Sequence, residues 1–188
     1  MSSNRIMAEE PIEKKITRIL LHKKMTVTAA ESCTGGLVAG TLVNADGISE
    51  VFKESYITYS NEAKHKLLGV KEETLKMYGA VSRQTALEMA EGAAKAANAD
   101  AAIVTTGIAG PGGGTEEKPV GLVYIGCYVK GCTIVKRCFY GGDRQGVSYS
   151  AVKSCRIPLK SYPPLTEKKH WIFCIASFLL MSINKRNV

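Results

Sequence analysis

The sequence predicts a single α/β domain with a mixed sheet, followed by a short tail of different character. Segments typical of strands alternate with segments typical of helices through the first hundred residues, as in sheets covered by helices. Two further strand-like segments then follow each other directly and predict an antiparallel hairpin. We therefore interpret residues 1–155 of the 188-residue chain as the domain and residues 156–188 as a separate, atypical tail.

The first three elements are a helix, a buried strand and a second helix. Residues 10–24 place Ile12, Ile16, Ile19 and Leu20 on one helical face, with lysines between them. The segment MTVTAA at 25–30 is rich in β-branched residues and predicts a short buried strand. The segment GLVAGTLVN at 36–44 predicts a helix that its glycines and alanine allow to pack closely.

One strand and three helices are predicted next, at 50–60, 61–69, 71–79 and 82–99. Ser60 or Asn61 can cap the first of these helices, and Ser82 can cap the third, because their side-chain oxygens accept from free backbone N–H groups. Gly69 and Gly79 end the first two helices.

The last predicted elements are three strands. DAAIVTTG at 100–107 predicts a buried strand that enters a glycine-rich loop. LVYIGCYV at 122–129 and CTIVKRCFY at 132–140 follow, and Lys130-Gly131 predicts the turn of a hairpin between them.

The tail differs from the domain in composition and charge. Three prolines between residues 156 and 170 interrupt any helix. The apolar run at 171–183 is shorter than the roughly 20 residues that a membrane-spanning helix needs, so we expect no membrane insertion. Residues 151–188 contain 7 Lys or Arg and 1 Asp or Glu, so most of the net charge of +8 lies there. Because the domain itself is nearly neutral, we do not expect nucleic-acid binding.

The cysteines and the N-terminus indicate a cytoplasmic location. The six cysteines form no CxxC pair and have no zinc-like spacing, so we expect reduced thiols and no metal. The N-terminal residues do not show the pattern of a secretory signal.

The turn after the first strand contains more polar side chains than a turn requires. It should place Ser32 and Thr34 at the carboxyl edge of the sheet, where ligands bind in open α/β folds. Both would lie at the N-terminus of the next helix, where free N–H groups favour an anion. Gly35 and Gly36 would let the backbone approach a ligand. The alternative is that Ser32 or Thr34 only caps the helix.

A serine nucleophile also needs a base, and Lys64 is the best candidate in the sequence. The histidines at 22, 65 and 170 lie in less suitable places, and serine–lysine pairs are a known alternative to a triad. The lysine must be neutral to accept a proton, so burial or a positive neighbour must lower its pKa. The alternative is a solvated surface lysine.

Two further segments could bind an anionic ligand. The loop 107–121 has six glycines and resembles a phosphate cradle, with Thr105 and Thr106 as possible donors before it. Arg144 in YGGDRQ could hold a phosphate through two parallel hydrogen bonds. A flexible connection and a surface ion pair with Asp143 are the respective alternatives.

Together these segments resemble the CinA C-terminal domain family. The similar stretches are TAAESCTGG, YITYSNEAKHKLLGV, GAVS, TTGIAGPGGGTEEKPVGLVYIG and GDR, and the resemblance runs from about residue 8 to about 153. It implies a three-layer α/β/α domain, often dimeric, that hydrolyses the carboxamide of nicotinamide mononucleotide. The products would be nicotinate mononucleotide and ammonia, within pyridine nucleotide recycling, and no cofactor is implied.

The resemblance also implies roles for individual residues. Ser32 matches the nucleophile, Lys64 the general base and Tyr59 a tyrosine close to them, which could relay the proton. The positions implied to bind substrate are Thr34, Gly35, Gly36, Thr106, Gly107 and Arg144. The alternative function is a non-catalytic nucleotide-binding or competence-related interaction module of the same fold.

The sequence departs from the family pattern after GDR. Family members continue with a second arginine and an amphipathic helix, whereas this chain has Ser148 near that arginine's place and then the proline-rich tail. A missing closing helix would leave part of the sheet uncovered.

Overall fold

The computed structural model of the protein describes residues 10–155. Over these residues the chain forms five strands, six α-helices and one short 3₁₀ turn at Ile48–Glu50. The strands are β1 (Val27–Glu31), β2 (Phe52–Ile57), β3 (Ala101–Gly107), β4 (Leu122–Val129) and β5 (Cys132–Phe139). The helices are α1 (Ile12–Lys23), α2 (Leu37–Leu42), α3 (Asn61–Leu68), α4 (Glu72–Tyr78), α5 (Arg83–Ala96) and α6 (Arg144–Ser154).

The five strands form one mixed sheet in the order β2-β1-β3-β4-β5. Strand β1 is parallel to both β2 and β3, and β4 is antiparallel to its neighbours β3 and β5. The carboxyl ends of β1, β2, β3 and β5 therefore meet at one edge of the sheet. Glu31, the last residue of β1, lies opposite Ile57 of β2 and Thr105 of β3.

Helices cover both faces of the sheet and give the three-layer α/β/α arrangement. On one face, α1, α2 and α6 pack against apolar side chains of β1, β3, β4 and β5. On the other face, α3, α4 and α5 pack against Ala30, Ala102 and Val104. Successive residues of β1 alternate between the two cores, as the two-residue period of a strand requires. The predicted fold class is confirmed.

The predicted elements are present, and their ends shift for identifiable reasons. The strand predicted at 50–60 begins at Phe52 because residues 48–50 form the 3₁₀ turn. Helix α5 ends before Asn98, whose φ of 47° is left-handed and cannot continue a helix. Ser60 and Ser82 are the caps, and their side chains accept from the N–H groups of Ala63 and Thr85. The predictions for the tail at 156–188 lie outside the described residues.

Helix α6 is not among the elements predicted from the local sequence patterns. Asp143 caps it by accepting from the N–H of Gly146 at 2.7 Å. Val147, Ala151 and Val152 lie buried in the core against the sheet. Over residues 144–154 the sheet therefore has helical cover.

No helix within residues 10–155 is both long enough and apolar enough to cross a membrane.

Candidate active site

Ser32 lies at the carboxyl edge of the sheet, directly after β1. Its backbone N–H donates to the carbonyl of Thr105 at 2.9 Å, which extends the β1–β3 pairing by one residue and fixes the backbone of Ser32. The residue is 7 % exposed. The turn therefore presents the Ser32 hydroxyl from a rigid position at the mouth of the sheet.

Lys64 projects from the first turns of α3 into the protein and meets Ser32. Its Nζ lies 3.2 Å from the Ser32 Oγ, and it donates to the carbonyls of Thr58 at 2.8 Å and Tyr59 at 3.2 Å. The carbonyl of Ser60 is a fourth neighbour at 3.4 Å. The side chain is fully buried, so the alternative of a solvated surface lysine is wrong.

The surroundings of Lys64 favour its neutral form. Burial lowers the pKa of its amine below the ordinary 10.5, because the charged form loses its hydration. In the described part of the chain, no carboxylate pairs with the ammonium. A neutral amine can donate its two N–H groups to Thr58 and Tyr59 and accept from the Ser32 hydroxyl. This is the arrangement that a general base needs before it takes a proton from serine.

Glu31 is a buried carboxylate beside the nucleophile turn, and the sequence analysis assigned it no role. It is 1 % exposed. It accepts from the Thr34 hydroxyl and from three backbone N–H groups at the start of α2, those of Gly36, Val38 and Ala39. An acidic residue at the end of a buried strand is the signal that could have identified it, since a buried carboxylate needs several donors.

Glu31 also changes the expectation for the start of α2. The free N–H groups predicted there for a bound anion are already taken by this carboxylate, which is itself the anion at that helix terminus. The N–H of Gly35 donates to the carbonyl of Ser32 within the turn. The φ angles of Gly35 and Gly36 are 60° and 106°, so both positions need glycine for the shape of the turn.

The two threonines predicted to bind substrate have their hydroxyls engaged inside the protein. The Thr34 hydroxyl contacts Glu31 and lies 2.6 Å from the hydroxyl of Thr105. The Thr106 hydroxyl donates to the carbonyl of Ala80 at 2.7 Å. Both threonines are buried. They support the walls of the site, and a direct contact with substrate stays a prediction.

A cavity of about 390 Å³ opens above Ser32. Four residues predicted for the site share its walls: Ser32, Tyr59, Gly107 and Arg144. The glycine loop after β3 supplies much of the remaining wall, together with Cys33 and residues 80–81. A second cavity of about 660 Å³ adjoins it and shares Ala109, Pro111 and Arg144. Lys64 is buried behind Ser32 and lines neither cavity.

Tyr59 and Arg144 face each other across the opening of the cavity. An Nη of Arg144 lies 3.5 Å from the phenol oxygen of Tyr59. The backbone carbonyl of Tyr59, and not its phenol, contacts Lys64. A proton relay through the phenol therefore stays a prediction. Asp143 caps α6 and forms no ion pair with Arg144, so in the described structure the Arg144 guanidinium is available to an anionic ligand.

The thiol of Cys33, next to Ser32, is not activated as a nucleophile. Burial raises the pKa of Cys33 to about 12, so it remains a thiol beside Ser32 and is a poor nucleophile. Among residues 10–155, no group of three or more His, Cys, Asp or Glu side chains could hold a metal ion. The site therefore consists of a serine, a buried lysine and an arginine-bearing cavity.

Comparisons with known proteins agree with this architecture. Residues 9–159 match the family model of the CinA C-terminal domain. A putative competence-damage inducible protein of Clostridium beijerinckii is 59 % identical over 140 residues, which are 74 % of this chain and 34 % of that protein. A CinA-like protein of Kosmotoga olearia is 56 % identical over 141 residues, 75 % of this chain and 34 % of that protein. The chain thus spans about a third of the length of these relatives.

Solved structures show the same fold at substantial identity. The competence/damage inducible protein CihA from Agrobacterium tumefaciens is 43 % identical with a TM-score of 0.74, over 76 % of this chain and 88 % of that chain. The CinA superfamily protein ECK1530/EC0983 from Escherichia coli is 34 % identical with a TM-score of 0.73, over 76 % and 83 % of the two chains. The resemblance seen in the sequence is confirmed, and the chain belongs to the CinA C-terminal domain family.

Proposed function

We propose that this protein is an amidohydrolase that converts nicotinamide mononucleotide to nicotinate mononucleotide and ammonia through an acyl-enzyme on Ser32. The observation that carries the proposal is the contact between the Ser32 Oγ and the buried Nζ of Lys64 at 3.2 Å. A buried lysine that has a lowered pKa, and no carboxylate partner among residues 10–155, is suited to activate a serine. The substrate is suggested by the resemblance of the site segments to the family.

In the first half of the reaction, Ser32 displaces ammonia from the carboxamide. The Ser32 Oγ forms a bond to the amide carbon while neutral Lys64 takes the hydroxyl proton. The amide oxygen then carries the negative charge of the tetrahedral intermediate. When this intermediate collapses, the carbon–nitrogen bond breaks and Lys64 returns the proton to the departing nitrogen, so that ammonia leaves. The acyl group stays as an ester on Ser32.

In the second half, water releases the acid and restores the enzyme. Lys64, neutral again, takes a proton from a water molecule that attacks the ester carbon. The second tetrahedral intermediate collapses by breaking the bond to the Ser32 Oγ, which regains its proton from Lys64. The net reaction consumes one water and one amide and yields one carboxylic acid and one ammonia, which become carboxylate and ammonium at neutral pH, so the step balances without a metal or redox partner.

The cavity offers suitable contacts for both ends of the substrate. Ser32 lies on its floor, and Arg144 lies on its wall at the opening. A guanidinium can bind a phosphate through two charge-assisted hydrogen bonds, which would orient the nucleotide with its carboxamide toward the floor. The planar pyridine ring would lie between Tyr59 and the glycine loop.

Ammonia release from nicotinamide mononucleotide tests this proposal. We expect turnover by the wild type and a loss of at least about 1,000-fold in kcat for Ser32→Ala, because among the described residues no other hydroxyl contacts Lys64 Nζ to replace it. The matched control is Ser55→Ala, at an exposed serine of β2, which should keep full activity. A Ser32→Ala protein with normal turnover, or a folded wild type without any, would refute the proposed function.

A further inference from the structure

We propose that Ser148 is a positioning residue that orients the peptide between Cys33 and Thr34, so that the N–H of Thr34 stabilises the oxyanion of the acyl-transfer reaction. This inference rests on the proposed function and names the group that stabilises the negative charge of its tetrahedral intermediate. It starts from one hydrogen bond that joins α6 to the nucleophile turn. The Ser148 hydroxyl donates to the carbonyl of Cys33 at 3.0 Å, across 115 residues of sequence.

The hydrogen bond of Ser148 is directed at the turn rather than at its own helix. A serine within a helix commonly donates to the carbonyl four residues earlier. Ser148 instead reaches the Cys33 carbonyl and is itself 6 % exposed, so the bond is shielded from water. Arg144 lies one turn earlier on the same face of α6, and it borders the cavity. One helix face therefore reaches both the substrate cavity and the nucleophile turn.

The hydrogen bond from Ser148 to the Cys33 carbonyl also fixes the direction of the Thr34 N–H group. The carbonyl of Cys33 and the N–H of Thr34 belong to the same planar trans peptide, in which they point in opposite directions. Holding the carbonyl toward α6 therefore holds the Thr34 N–H away from α6. Without the Ser148 hydroxyl, this peptide loses the hydrogen bond that fixes its orientation.

The pattern of occupied donors leaves two N–H groups of the turn for the oxyanion, and the Thr34 N–H is the one whose peptide Ser148 holds. Within the described structure, every backbone N–H from Ser32 to Gly40 has an acceptor except those of Cys33 and Thr34. Glu31 takes three of them, so the start of α2 cannot serve. In α/β-hydrolases the N–H of the residue after the nucleophilic serine binds the oxyanion. We assign the corresponding role here to the pair of free N–H groups at Cys33 and Thr34, of which Ser148 orients the second.

Two variants of Ser148 test the role, with Ser150→Ala as the matched control. Ser150 lies two residues further along the same helix and is half-buried. With nicotinamide mononucleotide as substrate, we expect Ser148→Ala to lower kcat about 10- to 100-fold while KM stays within about twofold, since the donor acts on the transition state. Ser148→Thr keeps the hydroxyl and should restore most of kcat. Ser150→Ala should match the wild type.

A second readout does not depend on turnover. The Ser148 bond polarises the peptide whose N–H belongs to Thr34, so Ser148→Ala should shift the Thr34 amide resonance in a ¹H–¹⁵N spectrum of the ligand-free protein. Unchanged turnover in Ser148→Ala, or an equal loss in Ser148→Ala and Ser150→Ala, would overturn the proposal. If the wild type does not hydrolyse the nucleotide, the proposed function fails, and an unmoved Thr34 resonance would then overturn the positioning role separately.

Discussion

At the scale of single residues, the buried amine of Lys64 carries most of the proposed chemistry. A fully buried lysine that no carboxylate pairs with in the described part of the chain is unfavourable for folding, because its charged form loses hydration. Three backbone carbonyls orient the amine at the end of β2, and the Ser32 hydroxyl lies on its fourth side. A position of this kind is typical of a functional group rather than of a structural ion pair.

Replacing Lys64 should strongly lower turnover, whereas replacing a neighbouring exposed lysine should not. We expect Lys64→Met and Lys64→Arg each to lower kcat for nicotinamide mononucleotide by about 100- to 10,000-fold, the usual contribution of a general base. Arginine fails because its guanidinium stays charged. Lys66→Met, at an exposed lysine of the same helix, is the control and should keep full activity. An active Lys64→Arg protein would show that the base is another group.

The lowered pKa of Lys64 also predicts how stability depends on pH. The unfolded chain holds this proton up to the ordinary pKa of 10.5, whereas the native protein releases it at lower pH. Between the native pKa and 10.5, unfolding therefore takes up a proton, and the contribution of Lys64 to the free energy of unfolding rises with pH. Below the native pKa this contribution is at its least favourable.

Chemical denaturation of the wild type and Lys64→Met at several pH values measures this effect. We expect the stability difference to favour Lys64→Met most below the native pKa and to shift toward the wild type as pH approaches 10.5. A difference that stays constant over this range would mean that Lys64 titrates alike in the folded and unfolded states.

At the scale of elements, Glu31 ties β1 to α2 and thereby shapes the turn that carries Ser32. Glu31→Gln replaces one acceptor oxygen by an NH₂ group, which then faces the N–H donors of α2. We expect this change to lower the free energy of unfolding by about 2 kcal/mol or more, because buried donors lose their acceptor. Glu50→Gln, at an exposed position, should be neutral. Urea unfolding of both variants provides the measurement, and equal stabilities would argue against the role of this carboxylate.

The packing of α3 against α5 sets the position of Lys64. Substitutions at two glycines, one inside this contact and one outside it, test its importance. A Cβ at Gly92 of α5 would lie 1.8 Å from the carbonyl oxygen of Leu68, the last residue of α3. Gly92→Ala should therefore destabilise the protein by about 1–3 kcal/mol and lower its activity by displacing α3.

Gly40 is the matched control for Gly92, since it also lies in a helix but has open space around its missing Cβ. Gly40→Ala should stabilise the protein by about 0.5–1 kcal/mol through the unfolded state. Thermal unfolding and turnover of the two variants can be compared directly. The same sign of effect in both would contradict the close contact between α3 and α5.

At the scale of the whole molecule, the sheet topology explains why distant segments form one site. Because β1, β2, β3 and β5 run in the same direction, the residues after each of them emerge at one edge. Ser32 follows β1, Lys64 follows β2, the glycine loop follows β3 and Arg144 follows β5. This is the edge at which open α/β sheets bind ligands.

The parts of this arrangement that local patterns encode could be predicted from the sequence. Strands and helices with clear periodicity and with Ser60, Ser82, Gly69 and Gly79 at their ends were placed within a few residues. Helix α6 was missed because its buried side is small, with Val147, Ala151 and Val152 spread among polar residues and Gly146 near its start. Its cap, Asp143, was considered only as an ion-pair partner of Arg144.

The site was predictable in its residue types but not in its internal hydrogen bonds. The resemblance to the family indicated Lys64 as the base for Ser32, and the fold brings these two side chains into contact. The engagement of Glu31 with α2, and of Ser148 with Cys33, depends on packing between elements that are far apart in sequence. No periodic pattern encodes such contacts.

The central claim, that Ser32 forms an acyl-enzyme with the substrate, can be measured by mass spectrometry of the intact protein. Samples quenched in acid during turnover of nicotinamide mononucleotide should contain a species heavier by the mass of the nucleotide less ammonia. Proteolysis should place this adduct on Ser32, and Ser32→Ala should never acquire it. An adduct on another residue, or ammonia release by Ser32→Ala, would contradict the account.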